Sequence, residues 1–95
     1  MAKNINYNYV FLFYDVGVKR VNKVLKKCKK YLNHWQKSVF RGLLTNSEIL
    51  ELENELKKII NKEEDFISII KIMDFKKIGE TTLGTADKNT EDIFI

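Results

Sequence analysis

Residues 8–20, "NYVFLFYDVGVKR", decide the fold: bulky aromatic and aliphatic residues run into a carboxylate, a glycine and then positive charge. Val10, Leu12 and Tyr14 fall on one alternating face, with Tyr9, Phe11 and Phe13 on the other. Residues 8–15 therefore form a strand that needs cover on both sides. Gly17 permits a turn, and the apolar period then lengthens. Val21, Val24, Leu25, Cys28 and Leu32 recur at helical spacing and make one stripe. Lys19, Lys23, Lys26 and Lys30 fall on the opposite face of this first helix, which ends near Asn33.

Working outward, residues 34–42, "HWQKSVFRG", alternate as a second strand, with Gly42 at its bend or end. Thr45 and Glu48 have the spacing of a capping box, and Ile49, Leu52, Leu56, Ile59 and Ile60 supply the apolar stripe of a second helix. Lys57, Lys58 and Lys62 close that helix, as its dipole favours. Residues 65–73, "DFISIIKIM", form a third strand that is apolar on both faces, and residues 76–84, "KKIGETTLG", a weaker fourth. The polar stretch 85–92, "TADKNTED", is a loop, and the terminal "IFI" at 93–95 is suited to adding an edge strand to its own sheet or a partner's.

With residues 34–44 counted as one bent strand, or as two short strands joined near Gly42, the pattern matches an α+β ferredoxin-like plait. Such a plait has an antiparallel sheet with two helices on one face. The other face is left with an aromatic patch, and a second copy packed sheet to sheet about a two-fold axis covers it simply. A homodimer is the expectation.

Ninety-five residues suit a single domain, 1–95, whose segment 76–95 has the weakest pattern. Cys28 is the only cysteine, so no internal disulfide forms, and a reducing compartment is implied. The N-terminal apolar run has the wrong flanks for a signal peptide and is too short to span a bilayer, which implies a cytoplasmic protein with no membrane partner. Net charge is +4, unevenly placed: residues 18–33 carry seven basic residues and no acidic one, against ten basic and thirteen acidic elsewhere. Clusters of this kind bind phosphate backbones, although a solvated outer face has the same composition. His34 is the single histidine, with no partner that would make it a metal site or a general base.

The segments "YVFLFYDVGVKRVNKVLKKCKKYL" (9–32) and "QKSVFRGLL" (36–44) together resemble the CRISPR-associated Cas-two family of small, endoribonuclease-like adaptation proteins. The likeness is carried by Tyr14-Asp15 at the strand end, by "KRV" at 19–21, by the Gln36–Leu44 motif and by the acidic lead-in "NKEEDFISII" at 61–70. It spans most of residues 8–73. One departure stands before Gln36, where His34 or Trp35 occupies the place of an arginine common in the family.

The resemblance implies a ferredoxin-like dimer with facing sheets that acts with the CRISPR integrase in spacer acquisition. It also implies nucleic acid as the ligand, duplex DNA or RNA, and a metal-dependent endonuclease activity. Asp15 is then the ligand of Mg2+ or another divalent cation, and the bland alternative is a cap on a helix starting near Val18. Ser38 and Phe40, on one side of the second strand with Gln36, join Asp15 as candidate catalytic residues. Ser38 would bond a phosphate or water and Phe40 would stack, although core or dimer packing suits a phenylalanine equally. Arg20 is carried over from the family motif and joins Lys19, Lys23, Lys26 and Lys30 as a nucleic-acid contact. The rival reading is a ferredoxin-like toxin ribonuclease of a toxin–antitoxin pair.

Overall fold

The strand expected at 8–15 lies inside a four-stranded antiparallel sheet, in a computed structural model that describes residues 6–85. This strand, β1 (Tyr9–Asp15), pairs on one side with β3 (Val39–Leu43) and on the other with β4 (Phe66–Ile72). β2 (Asn33–Gln36) adds to the outer edge of β3, so the order is β2-β3-β1-β4. With α1 (Val21–Lys29) and α2 (Asn46–Ile59) the chain runs β-α-β-β-α-β, the α+β plait expected from the pattern.

Both helices lie on the Val10–Leu12–Tyr14 face. The stripe Val24, Cys28 and Leu32 from α1 and the turn after it, and Ile49, Leu52 and Leu56 from α2, close the core over these residues and Phe40. Thr45 begins α2 with the full capping box: its Oγ1 accepts the Glu48 N–H at 3.2 Å, and the Glu48 carboxylate accepts the Thr45 N–H at 2.9 Å.

The stretch 34–44, expected as one bent strand or as two short strands joined near Gly42, is a hairpin whose reversal lies at Lys37–Ser38, not near Gly42. No glycine or proline marks that turn. Tertiary bonds hold it instead: the Lys37 carbonyl accepts from the Tyr14 hydroxyl at 2.7 Å and from His34 Nε2 at 3.0 Å, and the Ser38 carbonyl accepts from the Tyr14 N–H at 3.0 Å. Gly42 sits within β3 opposite Val10, because a Cβ there would meet Leu32 Cδ2 at 3.2 Å. Its job is to admit Leu32, from the turn after α1.

Residues 76–84 do not form the expected fourth strand. Phe75–Lys77 is a 3-10 turn started by Asp74, whose carboxylate accepts the Lys76 N–H at 3.0 Å, and residues 78–85 join no ladder. The segment folds over the second sheet face, with Phe75 stacked on Tyr9 at 5.4 Å and Glu80 paired with Arg41 at 2.6 Å. The plait is therefore completed by residues 66–72. Most of the polar stretch 85–92, and all of the terminal "IFI", lie outside the described residues. Among the described residues no helix is long and apolar enough to cross a membrane.

Two substitutions grade these contributions. Phe40 has no exposed surface, so Phe40→Ala is expected to lower unfolding free energy by about 3–5 kcal/mol. Thr45→Ala removes only the cap and is expected to lower it by about 1 kcal/mol. Urea unfolding of both variants measures the difference.

Candidate nucleic-acid interface and strand-end carboxylate

The alternation of β1 sends Asp15 to the face of Phe11 and Phe13, away from the helices, where it is exposed and lies across from Phe66 of β4. It does not cap α1. That helix starts at Val21 with Arg20 as a cap residue whose side chain makes no capping bond, and the Gly17 carbonyl accepts both the Arg20 and Val21 N–H groups at 2.9 Å. The Asp15 side chain makes no hydrogen bond or ion pair with another described residue.

The apolar patch beside Asp15 is narrower than the full Tyr9–Phe11–Phe13 row. Phe75 and Phe11 leave Tyr9 only 8% exposed, whereas Phe13, Phe66 and Ile70 remain 39%, 58% and 49% exposed. Phe13 pairs with Ser68 on β4, and Asp15 follows two residues later, so the carboxylate closes one end of an uncovered apolar strip.

Behind the strand end lies a buried ionic knot. The Asp65 side chain has no exposed surface and accepts from Arg20 through Nε, and through Nη2 at 3.0 Å. It also accepts the Gly17 N–H at 2.9 Å and the Asn61 N–H at 2.8 Å. The Arg20 guanidinium first, then these backbone donors, hold its carboxyl well below the usual carboxylate range, against the opposing effect of burial. Glu64 takes a further Arg20 bond at 3.0 Å. A Cβ on Gly17 would meet Arg20 Nη2 at 3.0 Å, so the glycine is there for close approach. One carboxylate thus ties the β1–α1 turn to the α2–β4 loop. The sequence showed "EED" only as an acidic lead-in, because the partner arginine lies 45 positions away.

Other candidate residues sort as follows. Phe40 is wholly buried on the helix side of the sheet, between Tyr14 and His34 at ring separations of 5.7 and 4.6 Å. It cannot touch a substrate, and its catalytic assignment is corrected to core packing. Ser38 does not share a strand face with it; Ser38 occupies the exposed β2–β3 turn, at the Asp15 end of the sheet. His34 is a support of that turn. Cys28 is a core residue whose thiol burial pushes up to about 12.

Among the basic residues, Lys19 lies in the turn before α1 rather than on the helix, and Arg20 is engaged in the knot. Lys23, Lys26 and Lys30 are exposed and, with Lys27, line a groove that α1 shares with Glu55, Lys58 and Ile59 of α2. This groove belongs to the helical layer, and Asp15 to the opposite face of the sheet. Among the described residues no three His, Cys, Asp or Glu side chains gather to hold a metal ion.

A family model described as CRISPR associated protein Cas2 matches residues 8–78. A CRISPR-associated endoribonuclease Cas2 from Methanosarcina acetivorans is 42% identical over 90% of this chain and 98% of its own length. A crystal structure of a Cas2 protein superposes with TM-score 0.77 at 37% identity, covering 92% of this chain and 98% of the other. Cas2 of Streptococcus pyogenes, solved at pH 6.5, gives TM-score 0.67 at 30% identity, covering 80% and 99%.

The Asp65 knot has a pH signature. Its folded carboxyl titrates below the unfolded value of about 3.9, so its contribution is complete above that value and is lost as pH falls toward the depressed one. Urea midpoints measured from about pH 7 down to about pH 3 are expected to fall on the acid side. Asp65→Asn is expected to lower the midpoint at neutral pH and to flatten the acid limb; an unchanged limb would place the acid sensitivity elsewhere.

Proposed function

Because the chain belongs to the family of CRISPR associated protein Cas2, we propose that it is a homodimeric nucleic-acid-binding protein of CRISPR adaptation. In this reading it bridges subunits of the CRISPR integrase during spacer acquisition. The observation that carries it is the exposed face of α1, where Lys23, Lys26 and Lys30 form no ion pair with another described residue. A solvated face needs no such one-sided charge, whereas a phosphate backbone does. The rival toxin–antitoxin reading gives way to the family assignment.

The strip Phe13–Phe66–Ile70 supports the dimer. A second copy laid over it about a two-fold axis buries apolar surface and brings two Asp15 carboxylates to the same rim. Two like charges held close repel, so the pair favours a cation between them. Asp15 fits Mg2+, which takes hard oxygen ligands and is held by one or two carboxylates with water and phosphate oxygens. When bound, the ion supplies Lewis-acid polarisation of a phosphoryl oxygen and a more acidic water. Asp15 from each copy holds that position, and the Ser38 hydroxyl, in the turn at the same end, bonds a phosphate oxygen or water. This gives a metal-dependent endonuclease acting on RNA or DNA, in keeping with the endoribonuclease name of the Methanosarcina acetivorans relative.

Binding and cleavage are separable in this geometry, because a nucleic acid in the helical groove reaches Asp15 only by passing round the end of the sheet. Asp15→Asn is expected to abolish magnesium-dependent cleavage of RNA and DNA while leaving duplex affinity within about twofold. Combined alanine substitution of Lys23, Lys26 and Lys30 is expected to weaken duplex binding at least about tenfold and to flatten its salt dependence. Cleavage assays with magnesium and with chelator, beside anisotropy titrations, measure both. Sedimentation that finds only single chains at working concentration would remove the shared ion site.

A further inference from the structure

The groove between the helices is lined by Lys23, Lys26, Lys27 and Lys30 from the α1 side, by Lys58 from α2, and by a single carboxylate, Glu55. Both oxygens of Glu55 are turned to lysines: Oε1 meets Lys27 Nζ at 2.9 Å and Oε2 meets Lys58 Nζ at 3.8 Å. The Lys27 bond, then the surrounding lysine charge, keeps this carboxyl below its ordinary range, so the negative charge is permanent near neutral pH. A phosphate entering the groove meets that charge as a competitor for the same two ammonium groups. The dimensions suit a strand of nucleic acid. A helical rise of 1.5 Å per residue sets Lys23 and Lys30 about 10 Å apart, about the axial rise of three base pairs of a duplex.

We infer that a phosphodiester backbone lies along this groove rather than on the outer row of α1 alone. Lys27 and Lys58 are then further phosphate contacts, and Glu55 is a resident anion that the backbone displaces from them. The inference rests on the nucleic-acid reading above and adds a restraint to it: the protein lowers its own affinity by occupying two of five groove lysines until phosphate replaces the carboxylate. Ion pairs at this exposure are weak enough to be exchanged.

Anisotropy titrations of a labelled DNA duplex with the full chain, repeated over a salt series, test it. Glu55→Gln is expected to tighten binding about threefold or more, because Lys27 and Lys58 no longer have to be released from the carboxylate before they meet phosphate. Lys58→Gln is expected to weaken binding and reduce the slope by about 0.9. In a background carrying Lys27→Gln and Lys58→Gln, the gain from Glu55→Gln is expected to vanish. A gain that persists there would be a general charge effect and would overturn the inference, as would no gain at all. Circular dichroism and unfolding midpoints confirm that each variant is folded at the assay temperature. Should combined alanine substitution of Lys23, Lys26 and Lys30 leave affinity unchanged, the nucleic-acid reading itself fails; if that loss appears but Glu55 and Lys58 changes are silent, only the groove fails.

Discussion

Everything in this fold answers to a strand with two apolar faces. β1 runs between β3 and β4, and Val10 and Leu12 on its inner face keep no solvent-exposed surface. Helices α1 and α2 meet that demand, and their stripes are spaced to do so. The outer face is only partly served, by Phe75 and the segment that follows it. What stays bare, Phe13 with Phe66 and Ile70, is the free energy available for association, and Asp15 is fixed at its edge by the same alternation.

Two irregular joints each depend on a single acceptor group. Asp65 gathers Arg20, Gly17 and Asn61 on one carboxylate, and the Lys37 carbonyl gathers Tyr14 and His34. The buried Asp65 carboxylate is costly to leave unpaired, so it fixes the path of the chain around it. Both joints sit at the Asp15 end of β1. The segments flanking the candidate carboxylate are thus held by tertiary bonds.

Charge is divided between layers. The lysines of α1 belong to the helical side and Asp15 to the sheet side, so a dimer built sheet to sheet carries its two basic grooves on its outer surfaces. That arrangement also sets the basic groove and Asp15 on opposite sides of one small protein. Arg20, carried into the nucleic-acid set by the motif, is largely engaged with the protein's own carboxylates.

Local periodicity determined a good deal by itself. The two faces of β1, the stripes of both helices, the Thr45–Glu48 cap and the strand at 66–72 follow from spacings within a few residues, which the side-chain period of each element enforces. The strand-end motif also carried the family. Tertiary structure decided what spacing cannot carry. The hairpin reversal at Lys37–Ser38 depends on Tyr14 and His34, and Gly42 depends on Leu32. Phe40 became core because β3 turns it toward the helices, and residues 76–84 became a cover because Tyr9 and Arg41 offered partners. Lys58 joined the basic groove only when α2 packed beside α1. Each of these is a contact between distant positions, and its energy exists only after the chain has closed the loop between them.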